Sequence, residues 1–139
     1  MKNTILFSLF ICFFVSCNDQ IKTEFKNYKS ASENKFFDKG WIPNNLIYKS
    51  MTNINVKNNI DLNSVFFSYN LSSFELENLK KKIKKTDFEF RNPEKIDIPN
   101  ELSKKISETE IFYIIENTDT TYVSIQNESM KVFGWSYNK

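Results

Sequence analysis

The fold is decided by the last third of the chain, where residues 110–137 read EIFYIIENTDTTYVSIQNESMKVFGWSY. Residues 110–116, 121–126 and 130–137 are rich in aromatic and β-branched side chains, and short polar segments separate them. Such runs between turn residues are typical of neighbouring strands in an antiparallel sheet. The sequence therefore predicts a meander of three strands at this end of the chain.

Two further strands are predicted upstream of the meander. Ile54, Val56 and Ile60 indicate the first, residues 61–63 a turn, and residues 65–71 a second strand rich in aromatic side chains. The turn between them is short enough for the two strands to form a hairpin.

Three segments have helical character. Residues 25–39 carry apolar side chains near helical spacing, and residues 72–85 begin with a capping box in which Ser72 is the N-cap and Glu75 reaches back. Residues 99–106 suggest a short third helix. The sequence predicts a small single domain of the α+β class, in which an antiparallel sheet of about five strands carries two to three helices on one face.

The first residues of the chain have the character of an export signal. Lys2 precedes residues 5–15, which are apolar except for Ser8 and which fit a signal peptide better than the roughly 20 apolar residues of a transmembrane helix. Residues 14–17, Phe-Val-Ser-Cys, resemble a lipobox, so Cys17 is the expected lipidation site. This predicts a signal peptide at 1–16, a lipidated tether at 17–24 and the domain at 25–139. An uncleaved anchor and an ordinary signal peptide are the alternatives.

The composition excludes several classes of protein. The chain has no histidine and two cysteines, of which Cys12 lies in the signal and Cys17 is expected to be acylated. Histidine-based triads, thiol nucleophiles and most zinc sites are thereby excluded, and we expect no cofactor, no metal and no catalytic residue. With 19 basic and 17 acidic residues, and Arg91 as the only arginine, the chain shows no sign of nucleic-acid binding.

One segment is distinctive enough to suggest a family. Gly40-Trp41-Ile42-Pro43 is followed by Leu46, Ser50, Asn53-Ile54 and Asp61-Leu62-Asn63. Over residues 39–69 this pattern resembles the YbbD head domain of small bacterial secreted proteins and lipoproteins. The chain departs from the family pattern at Ile47, where a second proline is usual. The resemblance implies a small domain of the cell envelope and no particular activity.

The candidate site residues each have a functional and a structural interpretation. Trp41 and Trp135 offer aromatic faces on which a glycan could stack, but large aromatic residues more often close a small core. Asp61 and Asn63 offer oxygen ligands for a cation, although both types are also preferred in turns. We expect Gly40 to end the first helix at positive φ and Pro43 to fix the exit direction of the chain.

The sequence thus predicts a lipoprotein of the cell envelope, tethered to the inner or the outer membrane through Cys17. We expect it to be a non-catalytic module that binds an envelope protein or a cell-wall component. The alternative is a hydrolase of glycans that uses carboxylates, which would require two carboxyl groups about 5–9 Å apart in one concave pocket.

We expect the substitution Cys17→Ala to abolish lipidation, because the acyl chains are attached to the thiol of this residue. Incorporation of radiolabelled palmitate and membrane fractionation measure the effect. The wild-type chain should be labelled and sediment with membranes, and the variant should be neither. A variant that kept both the label and the membrane association would contradict the lipobox assignment.

Overall fold

The computed structural model of the protein describes residues 20–61, 63–82, 89–90, 111–116 and 119–137. These residues form seven strands, two α-helices and two 3₁₀ turns. The strands are β1 (Gln20–Asn27), β2 (Thr52–Asn59), β3 (Ser64–Asn70), β4 (Glu89–Phe90), β5 (Ile111–Glu116), β6 (Asp119–Gln126) and β7 (Lys131–Tyr137). The helices are α1 (Tyr28–Glu33) and α2 (Ser73–Lys82), and the 3₁₀ turns are Phe37–Lys39 and Asn44–Leu46.

All seven strands belong to one antiparallel sheet in the order β1-β2-β3-β7-β6-β5-β4. The predicted hairpin and the predicted meander are confirmed, and they join through β3 and β7. The α+β prediction with about five strands is wrong: the described part of the chain is mostly β, and its two helices have six and ten residues. None of the helices in the described ranges is long and apolar enough to cross a membrane.

The strand that the sequence analysis missed lies where a tether and a helix were predicted. β1 begins at Gln20 and pairs with β2 along its length, from Gln20 opposite Asn59 to Asn27 opposite Thr52. Residues 20–24 of the predicted tether are therefore part of the sheet. The helix predicted over residues 25–39 is shorter and forms only α1. Phe25 still belongs to β1, and α1 begins after Asn27, whose side-chain oxygen accepts from the N–H of Ser30. The predicted helix at 99–106 lies outside the described residues.

The core lies on one face of the sheet. Val56, Phe67 and Val123 are buried in one row across β2, β3 and β6, and Ile54, Tyr69 and Val132 are buried beside them. This face is covered by α1, by α2 and by the irregular segment between α1 and β2. The covering segments contribute the buried side chains of Ala31, Phe36, Ile42, Leu46, Met51, Leu76 and Leu79.

Gly134 occupies the centre of this sheet, between Phe67 on β3 and Val123 on β6. A Cβ atom at this position would overlap the ring of Phe67. The ring therefore lies directly over the backbone of β7, and it also stacks on Tyr69 with the ring centroids 6.1 Å apart. The absence of a side chain at Gly134 leaves room over β7 for the ring of Phe67.

We expect Gly134→Ala to lower the free energy of unfolding by about 1–3 kcal/mol, since the added methyl group overpacks the Phe67 ring. Thermal denaturation measures the change. In a Phe67→Leu background the same substitution should cost less, because the smaller side chain leaves room for the methyl group.

Gly40→Ala is the matched control for this pair. Gly40 has a φ of 69° and no atom within 4 Å of the position of a Cβ, so its substitution should cost the same in both backgrounds. Equal costs of Gly134→Ala in the two backgrounds would contradict the packing argument.

Candidate functional site

The Gly-Trp-Ile-Pro segment forms a corner between α1 and β2. Gly40 ends the first 3₁₀ turn at a φ of 69°, and its N–H donates to the carbonyl oxygen of Phe37 at 3.1 Å. The predicted positive φ is thus confirmed, but Gly40 ends a 3₁₀ turn and not the first helix, which ends at Glu33. Pro43 opens the second 3₁₀ turn, in which the N–H of Leu46 donates to the Pro43 carbonyl at 2.9 Å. Gly40 and Pro43 therefore set the direction in which the chain enters and leaves the corner.

A buried tyrosine fixes the corner to the sheet. Ile42 and Leu46 are buried in the core, and the hydroxyl of Tyr69 on β3 donates to the carbonyl oxygen of Leu46 at 2.8 Å. The phenol is fully buried, which raises its pKa well above the ordinary value of 10.0, and Tyr48 raises it further. One hydrogen bond thus satisfies both a buried phenol and a carbonyl group that the second 3₁₀ turn leaves free.

Ser50 links the corner to the start of α2. The carboxylate of Glu75 accepts from the backbone N–H of Ser50 at 3.0 Å and also from its hydroxyl. That hydroxyl in turn accepts from the N–H of Ser72 at 2.9 Å, and the Ser72 hydroxyl accepts from the N–H of Glu75 at 3.3 Å. The predicted capping box is therefore present in an altered form, in which Ser50 stands between Glu75 and the N-cap residue.

Trp41 lies at the surface end of the corner and is only partly buried. Its ring packs against the buried Phe36 with centroids 5.8 Å apart and an interplanar angle of 77°. The ammonium group of Lys39, an exposed residue, lies 4.7 Å from the centroid of the Trp41 ring. Phe36 of the core thus packs against one side of the indole. The Lys39 side chain covers part of the π surface that the core leaves free.

A cavity of about 400 Å³ opens beside Trp41, at the end of the core face of the sheet. Its floor is a row of sheet residues in register, in which Asn58 pairs with Val65, Val65 with Ser136, and Ser136 with Thr121. The corner forms one wall. The full lining is Lys39, Gly40, Trp41, Ile42, Pro43, Asn44, Asn58, Asn63, Val65, Glu116, Asp119, Thr121 and Ser136.

Two carboxylates line the opposite wall of the cavity. Glu116 at the end of β5 is directly opposite Asp119 at the start of β6, so both side chains leave the same face of the sheet. Like charges directly opposite each other on two strands are destabilising. Neither Glu116 nor Asp119 was among the candidate residues predicted from the sequence. The available signal was that Glu116 ends a predicted strand and Asp119 lies in the short turn that follows it.

The structure separates the other candidate residues. Asn63 lines the cavity with a φ of 44°, whereas the exposed Asp61 does not. Trp135 is fully buried on the opposite face of the sheet, in a cluster with Ile111 and Phe133. Its Nε1 atom is buried and finds no hydrogen-bond partner in the part of the chain that the structure describes. Trp41 and Trp135 therefore do not form a common stacking platform.

Residues 19–70 match the family model of the YbbD head domain. This match confirms the resemblance predicted from residues 39–69 and extends it to the start of β1. It covers less than half of the chain and ends at Asn70, the last residue of β3. The YbbD head domain segment thus provides the Trp41 wall of the cavity, while the carboxylate wall comes from β5 and β6. Neither a curated protein nor a solved structure matches the chain significantly.

The described residues contain no group of three or more His, Cys, Asp or Glu side chains that could hold a metal ion. The chemistry available in the cavity is that of an indole ring, three carboxamides, two hydroxyl groups, two carboxylates and one ammonium group. Such a lining can bind a polar ligand that has one apolar face.

We expect Tyr69→Phe to lower the free energy of unfolding by about 1–3 kcal/mol at neutral pH, because the buried Leu46 carbonyl loses its donor. The wild-type protein should also lose stability as the pH rises above 10. There the phenol of the unfolded chain ionises, while the raised pKa keeps the folded Tyr69 protonated, so the unfolded state is favoured.

Denaturant titrations between pH 7 and pH 11 measure both effects. Tyr69→Phe should flatten the alkaline slope and leave the smaller contribution of Tyr48, whose pKa is raised by partial burial and by Glu75. An unchanged slope in the variant would contradict this account.

Proposed function

We propose that this chain is exported, anchored to a bacterial membrane through a lipidated Cys17, and acts there as a non-catalytic module that binds saccharide units of the cell wall. The observation that carries the proposal is the cavity of about 400 Å³ between the YbbD head domain segment and the β5–β6 hairpin. This volume lies in the range of small-molecule sites, roughly 300–1,000 Å³.

The anchor is supported by the order of features at the N-terminus. An apolar run of signal-peptide length precedes the Phe-Val-Ser-Cys segment at 14–17, and β1 begins at Gln20. Two residues, Asn18 and Asp19, lie between Cys17 and the first residue of β1. A lipid on Cys17 would therefore hold the domain close to the membrane surface, and two or more acyl chains suffice for stable anchoring.

The chemistry of the cavity favours a saccharide over other ligands. A pyranose ring has an apolar C–H face that stacks on an indole, which Trp41 supplies, and a rim of hydroxyl groups. Amide groups donate and accept hydrogen bonds, and carboxylates accept them, so Asn58, Asn63, Glu116 and Asp119 match such a rim. Because Lys39 is the single cation against two carboxylates, the lining does not favour a strongly anionic ligand such as a phosphate.

The carboxylate pair favours a second candidate function, hydrolysis of the bound glycan. Glu116 and Asp119 face each other across the hairpin and line the same cavity, as two glycosidase carboxylates would. A general acid, however, needs a desolvated environment that keeps it protonated at neutral pH, and Asp119 is exposed while Glu116 is half-buried. Binding is therefore the function that the geometry supports better.

The experiment is a calorimetric titration of the full-length lipoprotein in detergent with the trimer of N-acetylglucosamine. We expect wild-type binding, a loss of affinity of at least about tenfold in Trp41→Ala, and a smaller loss in Thr121→Val, which removes one hydroxyl group at nearly constant shape. A tenfold loss corresponds to about 1.4 kcal/mol. Phe74→Ala is the matched control, since Phe74 is an aromatic residue of α2 that is 74% exposed and does not line the cavity.

Two results would overturn the proposal. Binding that Trp41→Ala leaves unchanged would place the ligand elsewhere, and the absence of binding to a folded wild-type protein would exclude this class of glycan. Analysis of the same mixtures for cleavage products tests the second candidate. Turnover that both Glu116→Gln and Asp119→Asn abolish would identify the protein as a hydrolase.

A further inference from the structure

β1 is an edge strand that has a pairing partner on one side. It stands at the end of the strand order and pairs with β2, and no strand among the described residues pairs with its other side. Five of its side chains are exposed, those of Gln20, Lys22, Glu24, Lys26 and, at 42%, Ile21, whereas Phe25 packs against the buried Phe36. An open edge of eight residues is a template for a further strand.

The backbone groups that point away from β2 can be assigned from the register. The N–H of Tyr28 donates to the carbonyl oxygen of Met51 at 2.8 Å, just beyond the pair formed by Asn27 and Thr52. In an antiparallel ladder the direction of these groups alternates from residue to residue. The even-numbered residues of β1 therefore bond toward β2, and Ile21, Thr23 and Phe25 direct their N–H and C=O groups outward.

The charges of β1 are self-complementary about its centre. Lys22 and Glu24 leave the same face of the strand on either side of Thr23, and their Nζ and Oε1 atoms are 2.6 Å apart. If a second β1 runs antiparallel to the first with Thr23 opposite Thr23, each Lys22 lies opposite a Glu24. The exposed Ile21 then lies opposite Phe25 of the other copy. Such mutual contacts are the property of a two-fold interface.

We propose that two copies of this chain pair through β1, antiparallel about a two-fold axis at Thr23, and so form one continuous sheet. In this register the outward-directed residues of one copy meet those of the other, as the hydrogen-bond pattern of an antiparallel ladder requires. A shift of the register by one residue would place outward groups opposite inward ones. An axis at Phe25 would oppose Glu24 and Lys26, but it would pair residues 23–27 alone, because β1 ends at Asn27.

The position of Gln20, the first residue of β1, is compatible with a membrane anchor in this dimer. Gln20 of one copy and Gln20 of the other lie at opposite ends of the paired strands, about 20 Å apart at the rise of an antiparallel strand. Both N-termini can therefore approach one membrane surface, and confinement to that surface raises the effective concentration of the partner. The pairing itself depends on β1 and not on the lipid or on the cavity.

Disulfide trapping in membranes that contain the full chain tests the register. In an antiparallel hydrogen-bonded pair the two Cα atoms are about 5.5 Å apart, which suits a disulfide, so Thr23→Cys should yield a covalent dimer on oxidation. Lys26→Cys is the matched control on the same exposed strand. Its two Cα atoms would be about 20 Å apart, so this variant should remain monomeric, as should the unsubstituted chain.

A charge exchange provides the second test, in the Thr23→Cys background. Lys22→Glu or Glu24→Lys alone places like charges opposite each other and should reduce the dimer yield severalfold, whereas the double variant should restore it. Circular dichroism verifies that each variant is folded. The proposal is overturned if folded Thr23→Cys yields no more dimer than Lys26→Cys, or if the double variant yields as little dimer as the single ones.

Discussion

The contact between the ring of Phe67 and the bare backbone of Gly134 is the constraint on which the rest of the structure depends. β3 and β7 are separated by more than 60 residues in sequence, and their pairing joins the N-terminal hairpin to the C-terminal meander. A side chain at Gly134 would displace the ring that forms the centre of the core. Both walls of the cavity are positioned by this junction, since one comes from each side of it.

The corner segment is fixed to the same core by a few hydrogen bonds, each of which satisfies polar groups of two different segments. The Tyr69 hydroxyl satisfies the Leu46 carbonyl, and the Ser50 hydroxyl satisfies both Glu75 and the N-terminus of α2. A buried polar group without a partner is costly, so the buried bond between Tyr69 and Leu46 restricts where the corner can lie. Trp41 is consequently presented to the cavity by a rigid backbone rather than by a long loop, which reduces the entropy lost on binding.

The two surfaces to which we assign interactions do not overlap. The cavity is formed by the corner and by β2, β3 and β5–β7, whereas the open edge belongs to β1. A dimer formed through β1 would therefore leave both cavities accessible. The edge proposed for pairing is thus separate from the cavity proposed to bind a saccharide at the end of the core face.

The sequence by itself determined the local features of this protein. The runs in residues 110–137 indicated three strands, Gly40 indicated a positive φ, and the segment around Trp41 indicated a resemblance to the YbbD head domain. Strand periodicity, glycine conformation and a distinctive motif are all local features. The sequence prediction failed at β1, where Ile21, Thr23 and Phe25 alternate with polar residues. This alternation favoured a strand, but the position of the segment just after Cys17 favoured a tether. β1 is stabilised by its pairing with β2, which lies some 30 residues later.

Only the tertiary structure decided which residues share a site. Trp41 and Trp135 were equivalent candidates in the sequence, but the alternation of the sheet places Trp135 on the opposite face and buries it completely. Glu116 and Asp119 gave no motif, and they meet Trp41 because the pairing of β3 with β7 brings two distant segments to the same end of the sheet. Long-range strand order has no signature in a short stretch of sequence, since it is set by which buried faces pack together.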